Sequence, residues 1–314
     1  MIPLKIRRVL LSLPLFLLAG CNKLVVMNPS GDIATQQSHL IVVSTVLMLL
    51  IIVPVIILIV LFAWRYRKNA AARYEPDWDH STQLELIIWG APLLIIIALG
   101  LITWISTHAL DPYRPLDRID ANRPISAAAQ PMTIEVVAMD WKWLFIYPEL
   151  GIATVNELAT PIDVPVRFKI TSTTVMNSFY IPALAGQVYA MAGMETHLNA
   201  VINEAGEYDG FSANYSGAGF SGMNFKYHGL EEKDFDNWVK KVRASSKELD
   251  RESYASLAQP SENDPVQHFG VAAPDLYHAI LNRCVSPQAV CMDQMMADDL
   301  HRAKTMSQSA KHDE

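Results

Sequence analysis

Two long apolar segments near the start of the chain dominate its pattern of hydrophobic and polar residues. Residues 40–63 form a run of 24 residues without a charge, and residues 86–104 form a second run of 19. Each run is long enough to cross the hydrocarbon core of a bilayer as an α-helix. The pattern therefore predicts two transmembrane helices, at about 40–63 and 84–106.

The distribution of basic residues predicts the direction of these helices. The connection between them carries Arg65, Arg67, Lys68 and Arg73, whereas Lys23 is the only Lys or Arg in residues 22–39. Loops rich in Lys and Arg stay in the cytoplasm. We therefore expect a cytoplasmic connection, with the N-terminus and everything after about residue 108 in the periplasm.

The first twenty residues have the pattern of an export signal. Basic residues precede the apolar run 9–18, and the letters "LAGC" follow it. This order is typical of a secretory signal peptide, and a cysteine directly after "LAG" is typical of bacterial lipoproteins. We predict a signal peptide at 1–20, acylation of Cys21, and a lipid-anchored segment with both helices over 21–107. An ordinary signal with an accidental cysteine is the alternative.

Alternating apolar and polar residues after the second helix predict a periplasmic β domain. Segment 133–145 alternates with a phase slip at Val136 and Val137 that suggests a β-bulge, and residues 166–173 alternate without interruption. Residues 197–210 predict a further strand followed by a turn. Short strands separated by Pro, Gly and Asn favour a β-sandwich from roughly 130 to 228, within a linker and domain at 108–228.

The first of these predicted strands contains two tryptophans. Trp141 and Trp143 would share one face of the strand, with Lys142 on the other, because side chains alternate along a strand. We interpret both tryptophans as packing residues, either in the core or against a partner subunit.

Beyond the predicted sandwich the pattern becomes helical. Residues 231–246 place Phe235, Trp238, Val239 and Val242 on one face of a helix, with charges elsewhere. We predict a helical extension over 229–298 and a disordered polar tail over 299–314. Cys284 and Cys291 lie in the extension, and in an oxidising periplasm they are able to form a disulfide, although the sequence leaves their pairing open.

Charge and composition narrow the function further. The net charge of the 314 residues is −7, and the part from residue 108 onward contains 17 Lys and Arg residues compared with 27 Asp and Glu residues. An acidic domain disfavours nucleic acid and suits either solvation or a basic partner. No catalytic triad, phosphate-binding loop or zinc-type spacing stands out, so the chain alone is expected to be non-catalytic, with no metal or cofactor of its own.

The order of these elements resembles subunit II of the haem–copper respiratory oxidases. A two-helix transmembrane hairpin leads into a periplasmic domain that carries "MDWKW" early in its sequence. The resemblance implies a membrane α plus periplasmic all-β protein: the hairpin, then a cupredoxin-like Greek-key β-sandwich and a C-terminal helical extension. It covers nearly the whole chain.

In members that oxidise cytochrome c, this domain carries a dinuclear copper centre on a C-x₃-C-x₃-H-x₂-M loop, with a histidine upstream. In "SANYSGAGFSGM" the corresponding positions are Ser212, Ser216, Phe220 and Met223, and Asn177 stands at the upstream position. Asn214 would offer only a backbone carbonyl. Because a dinuclear copper centre needs thiolate and imidazole ligands, we expect a vestigial loop without copper.

Loss of this centre is typical of the quinol-oxidising branch. The segments "VVAMDWKWLFIYPELGIATVNE", "VMNSFYIP" and "YAMAGM" are similar to cytochrome bo-type ubiquinol oxidase subunit II, and "PVQHFGVAAPDLYHAIL" resembles its aromatic-bearing C-terminal motif. The resemblance implies a subunit of a proton-pumping ubiquinol oxidase in the bacterial inner membrane. Haems, copper and the quinol pocket would belong to subunit I. Alternatives are a cytochrome c oxidase subunit II and a free-standing periplasmic binding lipoprotein.

Glu85 has two possible roles. It stands at the cytoplasmic start of the second span, where Thr82 and Glu85 fit a capping box and a carboxylate favours the helix N-terminus. By resemblance, a glutamate here lies at the mouth of the proton-uptake path into subunit I. We weigh the cap and the proton entry evenly.

Methionines suggest a third kind of chemistry. The chain has 13, and the thioethers of Met191, Met194 and Met223 are able to bind cuprous ion weakly, as in a copper chaperone. Because methionine is far commoner as a packing residue, we interpret these three as residues of the sandwich core.

Overall fold

A computed structural model describes residues 24–68, 70, 77–126 and 130–310, and of residues 303–310 only the backbone. The predicted signal peptide, Cys21 and residues 311–314 lie outside the described residues. The chain forms two units, one with residues up to Thr35 and from Pro115 onward, the other with Gln36–Arg114.

The unit Gln36–Arg114 is helical. Helix α1 spans Asp32–Arg65, beginning just before this unit, and helix α2 spans Thr82–Ala109. Both are long and apolar enough to cross a membrane, and most of their apolar side chains are exposed in the isolated chain. Pro54 and Pro92 lie inside the helices, which membrane helices tolerate. These are the two helices that the apolar runs predict.

The other unit is built mainly from strands. In the described residues they are β1 (Arg118–Asp120), β2 (Arg123–Pro124), β3 (Met132–Ala138), β4 (Trp143–Tyr147), β5 (Ile152–Val155), β6 (Glu157–Pro161), β7 (Val166–Ser172), β8 (Asn177–Tyr180), β9 (Val188–Ala190), β10 (Thr196–Ala200), β11 (Gly206–Ser212), β12 (Asn224–Leu230), β13 (Glu248–Leu249), β14 (Gln267–Phe269) and β15 (Val271–Ala272).

Two sheets make the sandwich. One has six strands in the order β10-β7-β3-β4-β5-β14, and the other has five in the order β6-β12-β11-β8-β9. Aromatic side chains fill the space between them: the rings of Phe179 and Phe225 stack at 5.5 Å, and Trp143 meets both rings edge-on. The apolar helices followed by this cupredoxin-like sandwich confirm the predicted fold class.

The predicted bulge at Val136 and Val137 is wrong. Strand β3 pairs with β7 in continuous register from Met132 to Ala138, without a shift. Val136 packs in the core between the sheets, whereas Val137 packs in a second core formed with the C-terminal extension. Strand β3 therefore needs consecutive apolar residues, because at this strand the six-stranded sheet is covered on both faces.

The prediction of one strand across 133–145 is also wrong. β3 and β4 form an antiparallel hairpin, and the Met139 and Lys142 backbones bond to each other across the turn. Trp141 therefore lies in the turn, while Trp143 is fully buried in β4. Lys142 is buried as well, and its ammonium group donates to the Gln259 carbonyl at 3.0 Å and to Asp264 at 3.1 Å.

Four helices belong to the C-terminal extension: α3 (Glu232–Arg243), α4 (Arg251–Leu257), α5 (Leu276–Leu281) and α6 (Met292–Ala310). The apolar face predicted for α3 is confirmed, since its four apolar residues are all buried. The described part of the predicted disordered tail is helical instead, because α6 continues to Ala310 through a stretch without Gly or Pro. A disulfide joins Cys284 to Cys291 between α5 and α6.

Candidate functional site

The segment predicted to correspond to a copper-ligand loop connects β11 to β12. Ser212 ends β11, a short 3₁₀ turn spans Ala218–Gly222, and β12 begins at Asn224. The Ser212 N–H donates to the Met223 carbonyl at 3.3 Å, which closes the base of the loop. Strand β8, which begins at Asn177, pairs with β11 at this end.

The side chains at three of the predicted positions, Ser212, Asn177 and Asn214, form hydrogen bonds. Ser212 and Asn177 are almost fully buried, and the Ser212 hydroxyl donates to the Asn177 side-chain carbonyl at 3.1 Å. The Asn177 amide donates to the Val175 carbonyl at 3.1 Å. Ser178 donates to the side-chain carbonyl of Asn214 at 2.6 Å. Polar contacts between neutral groups thus occupy the positions where a metal centre would need its ligands.

The side chains of the remaining three positions lie apart from this network. Met223 is buried at 1% exposure within the core. The Phe220 ring meets the exposed Tyr215 ring edge-on at 5.7 Å. The hydroxyl of Ser216 is buried without a hydrogen-bond partner in the described structure. None of these three side chains supplies a charged or strongly basic donor.

The glycines of the loop have a packing reason that sequence reasoning missed. A side-chain carbon on Gly217 would lie 2.8 Å from the Trp141 ring, and one on Gly219 would lie 2.6 Å from it. A side chain on Gly222 would collide with the Asn263 amide. The Trp141 indole also donates to the Ser216 carbonyl at 3.3 Å. The loop therefore carries small residues because the hairpin turn of β3 and β4 packs directly on its backbone.

This set of residues does not fit a dinuclear copper centre. Copper in such a centre needs anionic sulfur and imidazole nitrogen, whereas the loop offers hydroxyls, amides and one thioether. The Asn177 carbonyl already accepts a hydrogen bond. Across the residues that the structure describes, no group of three or more His, Cys, Asp or Glu side chains is arranged to hold a metal ion.

Glu85 contacts His80 and does not form the predicted capping box. Ser81, not Thr82, precedes the helix as its N-cap, and it makes no side-chain capping bond, so the capping-box prediction is wrong. The Glu85 carboxylate instead lies 2.8 Å from His80 Nδ1. The other ring nitrogen of His80 lies 3.2 Å from the Thr82 hydroxyl. His80 was missed, although a His five residues before a Glu at a predicted helix start was a usable signal.

A second acidic constellation, also missed, connects the sandwich to the C-terminal extension. Glu157 is 13% exposed, and its carboxylate lies 2.6 Å from His268 Nε2 and 3.5 Å from His228 Nε2. The Trp238 indole donates to the same carboxylate at 3.0 Å. Burial alone would raise the pKa of Glu157, but these three hydrogen-bond partners lower it to about 2. The side chain is therefore ionised throughout the physiological range.

Two protein families match the periplasmic part of the chain. Residues 149–228 match the family "Cytochrome C oxidase subunit II, periplasmic domain". Residues 243–288 match the "COX Aromatic Rich Motif". The second match confirms the predicted aromatic-bearing C-terminal motif.

Curated relatives match most of the chain. Cytochrome bo(3) ubiquinol oxidase subunit 2 of Pseudomonas putida is 53% identical over 272 residues, covering 86% of this chain and 83% of the relative. Ubiquinol oxidase subunit 2 of Acetobacter aceti is 49% identical over 266 residues, covering 84% of each. Among solved structures, the periplasmic domain of subunit II of cytochrome oxidase of Bradyrhizobium japonicum is 21% identical, with a TM-score of 0.34, over 35% of this chain and 91% of that one.

Proposed function

Because this chain belongs to the family of ubiquinol oxidase subunit 2, we propose that it supports quinol oxidation and oxygen reduction carried out by a partner subunit. The chain is a subunit II of a membrane-bound oxidoreductase complex, with two membrane helices and a periplasmic domain. Subunit I would hold the haems, the copper and the quinol pocket. The two membrane helices and the lipid anchor would together position the periplasmic domain over that partner.

The Ser212–Asn177 hydrogen bond is the observation that favours quinol over cytochrome c as the electron donor. The two side chains satisfy each other at the position where a copper ligand pair would stand. An electron from periplasmic cytochrome c would have no metal to enter here. Quinol dissolves in the bilayer and needs no such relay, so the loop suits a quinol oxidase.

A comparison of donors tests this proposal. The purified complex should consume oxygen with ubiquinol and show no turnover with reduced cytochrome c. Oxidation of cytochrome c by the complex, abolished by changes in the loop, would instead support the cytochrome c oxidase alternative.

Restoring the ligands tests whether the loop has kept the shape of a copper site. The quadruple variant introduces Cys at positions 212 and 216 and His at positions 177 and 220, replacing Ser212, Ser216, Asn177 and Phe220. It should bind two coppers per chain and develop a mixed-valence absorption, while the wild-type loop should not. A quadruple variant that folds but binds no copper would contradict the idea that the loop geometry has been kept.

For Glu85, the geometry favours proton entry over capping. Its carboxylate contacts the His80 imidazole and makes no capping-box bond, and its side chain is 53% exposed at the cytoplasmic end of α2. An ionisable pair at the edge of a membrane span is a functional candidate. We propose that Glu85 takes up protons for oxygen reduction in the partner subunit.

Charge-neutralising variants separate the two roles of Glu85. Lost attraction to the helix dipole would cost Glu85→Gln only about 0.3–1 kcal/mol of stability. As a proton entry, the same change should lower turnover several-fold while assembly and haem content stay normal. Glu85→Asp should retain more activity, and the matched control Asp79→Asn should be silent. Near-wild-type turnover of Glu85→Gln would refute the proton role.

The export signal supports a lipid anchor as a further part of the proposal. The letters "LAGC" place Cys21 where a lipoprotein cysteine stands after cleavage. Acylation there would hold the mature N-terminus at the periplasmic surface of the inner membrane.

A further inference from the structure

The interpretation of Met194 as a core residue is wrong, because its side chain is exposed and belongs to a group of methionines at the surface. Met194 is 55% exposed, and Met191 is half-buried, whereas Met223 alone of the three lies in the core. Met191 and Met194 close a turn around Gly193, with the Met194 N–H donating to the Met191 carbonyl at 3.3 Å. Two thioethers therefore flank one glycine at the surface.

Helix α6 brings a third thioether onto this turn. A side-chain carbon on Gly193 would lie 3.1 Å from the Met292 methyl group and 3.5 Å from its sulfur. Gly193 has φ of +75°, so glycine is favoured there by its backbone as well. The Met292 sulfur thus lies against the backbone between Met191 and Met194.

Two more methionines continue the same face of α6. Met295 and Met296 follow Met292 at the three- and four-residue spacings that place side chains next to each other on a helix. They are 47% and 58% exposed. Large apolar side chains are seldom grouped in water without a partner. Five of the chain's 13 methionines thus lie in two short segments that meet at Gly193.

The start of α6 is held firmly in this place. The Cys284–Cys291 disulfide ties the residue before the helix to the end of α5. The Met292 N–H donates to the Asn282 carbonyl at 3.0 Å, and Asp293 lies 3.0 Å from His278 Nε2. The approach of Met292 to the turn is therefore set by several contacts.

From this juxtaposition we propose that Met191, Met194, Met292, Met295 and Met296 form a surface site that binds Cu(I). Thioethers are soft, uncharged ligands that select Cu(I) over the harder divalent ions. The site is separate from the vestigial loop and does not depend on quinol as the substrate. It revises the expectation that the chain binds no metal. Arg283 Nε would lie 3.6 Å from a side-chain carbon on Gly193. Its positive charge repels a cation and so weakens the binding of Cu(I).

A competition titration tests the site. The full-length chain in detergent, with free thiols alkylated, is titrated with Cu(I) without oxygen against a chromogenic chelator. We expect about one Cu(I) per chain, with sulfur as the main neighbour in X-ray absorption. Replacing Met292, Met295 and Met296 together by Leu, which nearly keeps side-chain volume, should weaken binding about tenfold or more. The exposed control Met176→Leu should leave it unchanged.

The outcomes separate the site from its alternatives. If the triple variant folds, judged by circular dichroism, and binds Cu(I) as tightly as wild type, the proposal is wrong. Nitrogen or oxygen neighbours in place of sulfur would also overturn it. If the triple variant unfolds, Met194→Leu, which lies outside α6, must weaken binding by itself. If the methionine face only docks a protein, the wild-type chain should bind no Cu(I) at this site, which would also overturn the proposal.

Discussion

Replacing Glu157 by Gln should destabilise the periplasmic domain in a way that depends on pH. The Glu157 carboxylate begins β6, an edge strand of the five-stranded sheet, and meets His268 on β14, an edge strand of the six-stranded sheet. It also accepts from Trp238 on α3. Glutamine keeps the shape but presents an amide donor to partners that are themselves donors, so at least one bond is lost.

The magnitude follows from the pKa of Glu157. Its folded-state value is about 2 against an ordinary 4.5. A difference of about 2.5 units corresponds to about 3 kcal/mol at neutral pH, because each unit is about 1.4 kcal/mol. Since the folded pKa is the lower one, this stability is fully present above about pH 4.5 and is lost as the pH falls toward about 2. For a domain of this size the melting temperature should fall by about 6–12 °C at pH 7.

Thermal unfolding of the full-length chain, followed by tryptophan fluorescence, measures the effect. The gap between wild type and Glu157→Gln should be large at pH 7 and should shrink at pH 3. Glu149→Gln serves as the control, because Glu149 is exposed in the turn after β4. A gap of equal size at both pH values would show that the ionised carboxylate is not what stabilises this contact, and would refute the reasoning.

Three further changes have expected outcomes. Burial raises the pKa of Glu135 from the ordinary value of 4.5 to about 7, so raising the pH above about 4.5 increasingly destabilises the folded state. Glu135→Gln should therefore raise the melting temperature at pH 8 but not at pH 4. Gly219→Ala should cost about 1–3 kcal/mol in thermal unfolding, because the new methyl group would overlap the Trp141 ring. Cys21→Ala should abolish labelling by radioactive fatty acid yet leave the chain in the membrane fraction, because two helices hold it more firmly than acyl chains; release into the soluble periplasm would contradict the two spans.

The sequence allowed prediction of those features that depend on residue periodicity. The two membrane helices follow from long uncharged runs, and α3 follows from Phe235 and Trp238 at helical spacing. Strand β7 alternates as a half-buried strand should. Each of these elements keeps one repeating pattern of apolar and polar residues along its length, so the local sequence is enough to identify it.

Features that depend on contacts distant in sequence could not be predicted this way. The turn between β3 and β4 contains Asp140 and Trp141 instead of the usual Gly or Pro, and the apolar pattern continues through it. The pairing of Val137 with the C-terminal core requires a segment more than a hundred residues away. The same holds for Glu157 and His268, which are 111 residues apart.

The loop from Ser212 to Met223 depends both on its local sequence and on contacts distant in sequence. These contacts explain why its shape does not require a metal. Its ligand spacing is a local feature of the sequence, whereas its packing is not. Trp141 fills the space beside Gly217 and Gly219, and the Ser212–Asn177 hydrogen bond satisfies the two buried groups at its base. Buried polar groups that satisfy each other are not destabilising. The backbone is thus fixed by indole packing and neutral hydrogen bonds, so the loop holds this conformation without metal ligands.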